Sequence, residues 1–229
     1  MVIGGLQKFS LSDFPGRLSA IVFTQGCNFR CPYCHNPELV DPGRFLSPVS
    51  EKDVISLLLE RIGRLEGVVI TGGEPTIHDD LPDFIRKIRA LGYAIKLDTN
   101  GSRPEMLRGV ISAGLVDFIA LDVKAPLSRY REVVRAPVDT DDIRRSIHLV
   151  IESGIAHEMR TTFVPSLLDL DDLKEIAESV RGCRLLVVQG FRPSKALDTS
   201  ILKQSAPTQE VLATICAGIE TMGVHCETR

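Results

Sequence analysis

Leu18-Ser-Ala-Ile-Val-Phe-Thr24 is an apolar, β-branched run that leads through Gln25-Gly26 into Cys27-Asn-Phe-Arg-Cys31-Pro-Tyr-Cys34-His-Asn36. Its composition predicts a buried strand, with the cysteines on the loop that leaves it. The same alternation continues down the chain. Ser50 heads a helix to about Arg64, with Val54, Leu57, Leu58 and Ile62 at helical spacing. Gly67-Val-Val-Ile-Thr71 is a second strand and Pro82 to Leu91 a helix. Tyr93 to Asp98 is a third strand, closed by the turn pair Asn100-Gly101. A helix over Pro104 to Ala113 leads to strand Val116 to Val123. Helix Asp141 to Ser153, strand Glu158 to Val164, helix Asp169 to Val180, strand Arg184 to Gln189 and helix Thr208 to Met222 complete the pattern. Near-continuous apolar strands alternating with amphipathic helices predict an α/β fold built on a parallel sheet. Right-handed crossovers allow an open doubly wound sheet or a barrel-like curl. In such barrels chemistry sits at the carboxyl ends of the strands, which is where the cysteine loop falls.

The spacing C-x3-C-x2-C supplies three thiolates, one fewer than a closed tetrahedral or cubane site needs. An iron–sulfur cluster with one open iron fits that asymmetry. Other uses stay open at this point. Cys31-Pro-Tyr-Cys34-His35 matches covalent haem attachment, and Cys31 with Cys34 matches a redox pair that leaves Cys27 without a role. Zinc on Cys27, Cys31, Cys34 and His35 would need adjacent ligands at 34 and 35 to span a tetrahedron. Positions 27, 31 and 34 also follow the period of a buried helical stripe, which Pro32 opposes.

Composition bounds the class. With 229 residues the chain can build one well-buried core, expected as a single domain over 1–229 with its cluster loop at 24–36. A net charge of −3 gives no basic field for general nucleic-acid attraction. The local run Arg129-Tyr-Arg131…Arg135 suits a solvated face. No apolar stretch approaches the roughly 20 residues that span a bilayer. Met1-Val-Ile-Gly-Gly lacks the basic and apolar regions of a secretory signal. The expectation is a cytoplasmic protein whose cysteines serve as ligands rather than disulfides. Cys183, Cys216 and Cys226 form no C-x2-C pair and are expected to be ordinary buried thiols.

Three further strand ends carry polar chemistry. Thr71-Gly72-Gly73-Glu74-Pro75 follows the second strand, where adjacent glycines allow close backbone approach or simply a tight turn. Asp98 closes the third strand and is placed to accept from an amine or hydroxyl, or to cap a turn. Asp122 and Lys124 share one side of the fourth strand, as a site for a zwitterion or as a salt bridge. Arg160 and Thr162 share a side of the fifth, and Gln189 ends the sixth; these are weaker candidates.

Cys27-x3-Cys31-x-Tyr33-Cys34 followed by Gly72-Gly73-Glu74-Pro75 resembles the radical S-adenosylmethionine superfamily. Phe9-Ser-Leu-Ser-Asp-Phe-Pro-Gly16, Cys34-His-Asn-Pro-Glu-Leu39, Asp98-Thr-Asn-Gly101 and Leu121-Asp-Val-Lys124 look like its glycyl-radical-enzyme activating enzymes. The ending Gln189-Gly-Phe-Arg-Pro193 resembles the branch that activates anaerobic ribonucleoside-triphosphate reductase. The resemblance implies a partial (β/α)6 TIM-like barrel of parallel strands. It implies a [4Fe-4S] cluster on Cys27, Cys31 and Cys34, with S-adenosylmethionine chelating the fourth iron. Gly72, Gly73 and Glu74 would bind the methionine amino group, and Tyr33 and His35 would lie beside adenine. Asp98, Asp122 and Lys124 would contact the methionine and ribose portions. An electron from a donor such as flavodoxin or ferredoxin would cleave the cofactor to a 5′-deoxyadenosyl radical, which takes hydrogen from a glycine of a partner enzyme. No catalytic side chain beyond cluster and cofactor is implied. Residues 36 to 182 hold no cysteine, so no insert with further clusters is expected. Two other functions are carried forward: a minimal enzyme of the same superfamily acting on a small molecule such as a deazapurine precursor, and a non-catalytic zinc or iron–sulfur protein.

Overall fold

A computed structural model describes residues 1–229. Strands β1 (Ile3–Ser10) and β2 (Ser19–Thr24) precede a short helix α1 (Pro37–Val40) and helix α2 (Glu51–Glu60). Then follow β3 (Gly67–Gly72), α3 (Leu81–Arg89), β4 (Ala94–Thr99), α4 (Pro104–Ser112) and β5 (Phe118–Asp122). Helices α5 (Tyr130–Val134) and α6 (Thr140–Glu152) lead to β6 (Ala156–Phe163), α7 (Leu170–Ser179), β7 (Leu186–Gly190), α8 (Gln209–Glu220) and β8 (Cys226–Thr228). All eight strands form one sheet in chain order, with β1 antiparallel to β2 and every later pair parallel. A parallel sheet whose strands stay in sequence order takes every crossover with one hand and so curls. β1 and β8 do not pair, and the barrel stays open along a seam between them.

The two faces of the curl differ sharply. Val22, Ile70, Leu97, Leu121 and Val188 point outward into a 52-residue apolar core shared with the helices. Phe84, Ile85 and Ile88 of α3 and Ile143, Ile147 and Val150 of α6 fill that layer. Capping fixes several helix starts: Ser50 accepts from Asp53 N, and Asp169 with Asp172 closes a capping box on α7. The inner face has only a small apolar floor, Phe14, Ile21 and Val69, against which Phe23, Ala94 and Phe118 pack. Above that floor the inward positions of β4, β5 and β6 are charged.

The six expected parallel strands are present as β2 to β7, and the partial barrel is the observed fold. Two strands lie outside the expectation: β1 lines one edge and the three-residue β8 the other. The cysteine expectation needs correction. Cys183 is a half-buried thiol, but Cys216 and Cys226 are disulfide-bonded to each other. The helix α8 and the turn after it bring residue 226 back beside 216, a tertiary proximity that no short motif announces. The bridge ties β8 to the helix behind it. Denatured apoprotein should therefore release four thiols to Ellman's reagent without reductant and six with it; six without reductant would remove the bridge.

Candidate active site

The cysteine loop is held at both ends and in the middle. Gly26, at φ +100°, donates to Leu39 O at 2.7 Å, and its own carbonyl accepts from Glu74 N at 2.8 Å. Arg30 folds over the loop and donates to Cys27 O (2.7 Å) and Phe29 O (2.8 Å), while Arg30 N donates to Val134 O. Phe29 packs edge-on against Tyr130, with ring centres 6.2 Å apart. Asn28 bridges to the next strand end but one, donating to Ser102 Oγ at 2.7 Å and accepting from Asn100 Nδ2 at 3.0 Å.

The glycine pair serves that loop. A methyl group at Gly72, which sits at φ +114°, would collide with Thr24 N, and one at Gly73 would collide with Gly26 O. Only glycine lets β3 pass this close to the cysteine loop. Glu74 is almost completely buried, and its side chain turns to the neighbouring strand end. It accepts from Thr76 N (3.0 Å), Thr99 Oγ1 (2.7 Å), Asn100 N (2.6 Å) and the Thr76 hydroxyl. Burial nevertheless raises its pKa, against the pull of those donors. The Glu74 carboxylate thus organises the ends of β3 and β4.

Cys27, Cys31 and Cys34 line one cavity of about 420 Å³. Burial pushes the Cys27 thiol up to about 12 and Cys31 up to about 11, and raises Cys34 as well. For Cys27 the Glu74 charge adds to the burial effect, whereas for Cys31 the Lys124 ammonium opposes it. Such thiols ionise when a metal replaces their protons. No three Cys, His, Asp or Glu donors gather around a single metal ion. Three thiols lining one cavity match the donor set of a cluster with one open iron, each thiolate on a different iron.

Every other residue expected at the site lines the same cavity: Tyr33, His35, Gly72, Gly73, Glu74, Asp98, Asp122 and Lys124. The Tyr33 hydroxyl is buried with no partner. His35 stacks on Phe191 at 5.9 Å, and its Nε2 lies 3.2 Å from Arg192 O; burial lowers its pKa.

Asp98 and Asp122 belong to one chain of charge across three strands. Lys96 Nζ donates to Asp98 Oδ1 (2.8 Å), Arg160 Nη1 to Asp98 Oδ2 (3.0 Å), Arg160 Nε to Asp122 Oδ1 (2.8 Å) and Lys124 Nζ to Asp122 Oδ2 (2.9 Å). The register of β5 on β6 sets Asp122 beside Arg160. Sequence alternation put Arg160 on the right face but gave no sign that it joins the two aspartates. Arg30, Asn28 and Asn100 are further residues the sequence left unmarked; a cation inside the cysteine loop was the available signal for Arg30.

The model of the radical SAM superfamily matches residues 21–181. The chain belongs to the radical SAM superfamily. Membership implies a [4Fe-4S] cluster and S-adenosylmethionine, and the donor set just described fits both. A Methanocaldococcus jannaschii protein provisionally named a glycyl-radical enzyme activating enzyme is 34% identical over 218 residues, covering 92% of this chain and 88% of its own. A 7-carboxy-7-deazaguanine synthase of Thermococcus kodakarensis is 25% identical, over 82% of this chain and 80% of its own. Among solved structures, Streptococcus suis SuiB bound to the precursor peptide SuiA superposes with a TM-score of 0.70 at 14% identity, over 91% of this chain. This chain spans 48% of SuiB. A domain of a pyruvate-formate lyase-activating enzyme from Bacteroides vulgatus gives 0.58 at 19% identity, over 72% of this chain and 99% of that domain. These likenesses establish the shared fold.

Two outcomes test the charge chain. Arg160→Met leaves two half-buried carboxylates without their common cation, and should lower apoprotein stability in urea by about 3 kcal/mol. A cost below about 1 kcal/mol would mean the lysines suffice. Arg160 and Lys124 hold Asp122 well below the ordinary 3.8, outweighing the effect of burial. A carboxylate with a depressed folded pKa contributes stability above its unfolded pKa and loses it as pH falls toward the folded one. The deficit of Asp122→Asn should therefore be constant from neutrality to about pH 5 and shrink below pH 3.8; a deficit independent of pH throughout would contradict the pairing.

Proposed function

We propose that this protein is a glycyl-radical-enzyme activase, of the type that serves anaerobic ribonucleotide reductase. The observation that carries this is the 34% identity, over 92% of the chain, to the Methanocaldococcus protein provisionally named an activating enzyme, together with the coming together of all the candidate cluster and cofactor residues in one cavity. The open seam beside that cavity supports it further, because it gives access to a protein loop. When bound, the reduced cluster supplies the electron that splits S-adenosylmethionine into methionine and a 5′-deoxyadenosyl radical.

The chain's own residues position and shield. Cys27, Cys31 and Cys34 would hold the cluster and leave one iron for the cofactor. The N–H groups of Gly73 and Glu74 already donate to Thr24 O and Gly26 O, so this segment offers its carbonyls to the methionine amino group. Asp98 and Asp122, each fixed by two cations, keep lone pairs in set directions and would accept from ribose hydroxyls and the amine, while Lys124 would pair with the cofactor carboxylate. Tyr33 and His35 would flank adenine, and Phe191 backs the imidazole. A carbon radical needs no general base, and excluding water protects it. The whole of 1–229 acts as one domain, in the cytoplasm, with a low-potential one-electron donor of the flavodoxin or ferredoxin class.

The Thermococcus synthase supports a second function, hydrogen abstraction from a deazapurine precursor, at lower identity. One assay separates the two. Anaerobically reconstituted, reduced protein should form 5′-deoxyadenosine, and Cys31→Ala should reduce this to background with the barrel folded. With the partner enzyme present, electron paramagnetic resonance should show a glycyl radical that a partner Gly→Ala variant lacks. Cofactor cleavage stimulated by a deazapurine precursor but by no glycine-bearing protein would overturn the activase assignment.

A further inference from the structure

The disulfide between Cys216 and Cys226 joins α8 to β8 across a sequence separation of 10, and no step of the proposed reaction uses it. Its place in the fold supplies a use. β8 is the last strand of the sheet and pairs with β7 alone. It runs for three residues, Cys226–Thr228, against about five or six in an ordinary strand. Of the three only Cys226 is buried; Glu227 is exposed and Thr228 half-buried. An edge strand that buries so little apolar surface opens at low cost. The bridge to α8 is therefore its main tether.

What β8 carries stands across part of the seam. Arg229 continues the strand: its N–H donates to Val188 O at 3.1 Å, and its carbonyl accepts from Gly190 N at 3.1 Å. Its guanidinium reaches inward to Glu158 on β6, which is almost completely buried, with Nη2 2.8 Å from Oε2 and Nη1 donating to Oε1 at 3.2 Å. The same carboxylate lies 3.9 Å from Arg160 Nη1, at the margin of the charge chain. Arg229 also lines a cavity of about 410 Å³ between the β1–β2 connection and the ends of β7 and β8. That cavity shares Arg160, Thr162 and Gln189 with the cofactor cavity, so it is a way in. The Arg229 side chain is 42% exposed, and an ion pair so open to water is a weak hold by itself.

We infer that the Cys216–Cys226 bond is a thiol-sensitive strap over the seam. Oxidised, it keeps β8 and Arg229 across the opening. Reduced, it lets β8 leave β7 and widens access to the cofactor cavity. The change is a two-electron exchange: a dithiol gives up two electrons and two protons and closes its own disulfide, while the S–S bond becomes two thiols at 216 and 226. A disulfide oxidant drives the reverse. Both cysteines are buried, so the reductant reaches them as β8 frays. In a reducing cytoplasm such bonds usually serve redox sensing. Admission of a protein loop through the opened seam rests on the activase function; the strap itself does not.

The test uses anaerobic, cluster-loaded protein, as wild type and as Cys216→Ser/Cys226→Ser. Hydrogen exchange over residues 184–191 and 224–229 reads the strap. Dithiothreitol should lower protection of the Leu186 and Gly190 amides in the wild type about tenfold or more. The double variant should show that loss without reductant and no response to it. Removal of iron by a ferrous chelator reads access, and should run several-fold faster in the variant at an unchanged starting spectrum. Equal protection in both redox forms, or a bond that dithiothreitol cannot reduce in the folded protein, would overturn the strap. Lost protection with unchanged iron removal would overturn its control of access. The wild-type comparison stands even if the variant fails to fold. None of these readings involves radical transfer, so the activase function is judged separately, by 5′-deoxyadenosine and the glycyl radical.

Discussion

The chain of charge Lys96–Asp98–Arg160–Asp122–Lys124 is the constraint on which the site depends. A closed eight-stranded barrel fills its interior with layers of branched apolar side chains. Here β1 and β8 leave the curl open, and the apolar floor reaches only as far as Phe14, Ile21 and Val69. Above it the strands need something other than packing to fix their inward side chains. Alternating charges with every carboxylate oxygen paired supply that, at a desolvation cost that only full pairing offsets. The space above the floor thus stays hollow and polar, fit to hold a charged cofactor.

The second constraint is steric. The cysteine loop could not keep its shape as a free excursion of ten residues or so, since loops without internal support are mobile. It is clamped from inside by Arg30 and from outside by β3, whose Gly72 and Gly73 admit the backbone of Thr24 and Gly26 where any side chain would collide. Glu74 then passes the alignment on to β4 through Thr99 and Asn100. Cluster loop, glycine turn and the start of the charge chain form one connected unit.

Much of this was legible in the sequence, and the exceptions have physical reasons. The apolar strands β2 to β7 are covered on their outer face by helices, so their composition marks them. β1 carries Gly4, Gly5, Gln7 and Lys8 and is partly exposed, and nothing in its pattern distinguishes it from a loop. β8 is too short for a periodic signal. The cysteine loop and the strand-end residues were recognisable because their chemistry is unusual for their position, and all of them line the cavity. Partnerships were not recognisable. Arg160 reaches Asp98 and Asp122 through the register of three strands, and Cys216 meets Cys226 only after α8 has turned the chain back.

Everything in the proposed function depends on Cys27, Cys31 and Cys34 holding a four-iron cluster with one iron left for S-adenosylmethionine. Mössbauer spectroscopy of ⁵⁷Fe-reconstituted protein tests it most directly. One [4Fe-4S] cluster per chain, with one iron site whose signal shifts when S-adenosylmethionine is added, is the expected result. A cluster whose irons all ignore the cofactor, or a chain that takes up zinc in preference to iron, would contradict it.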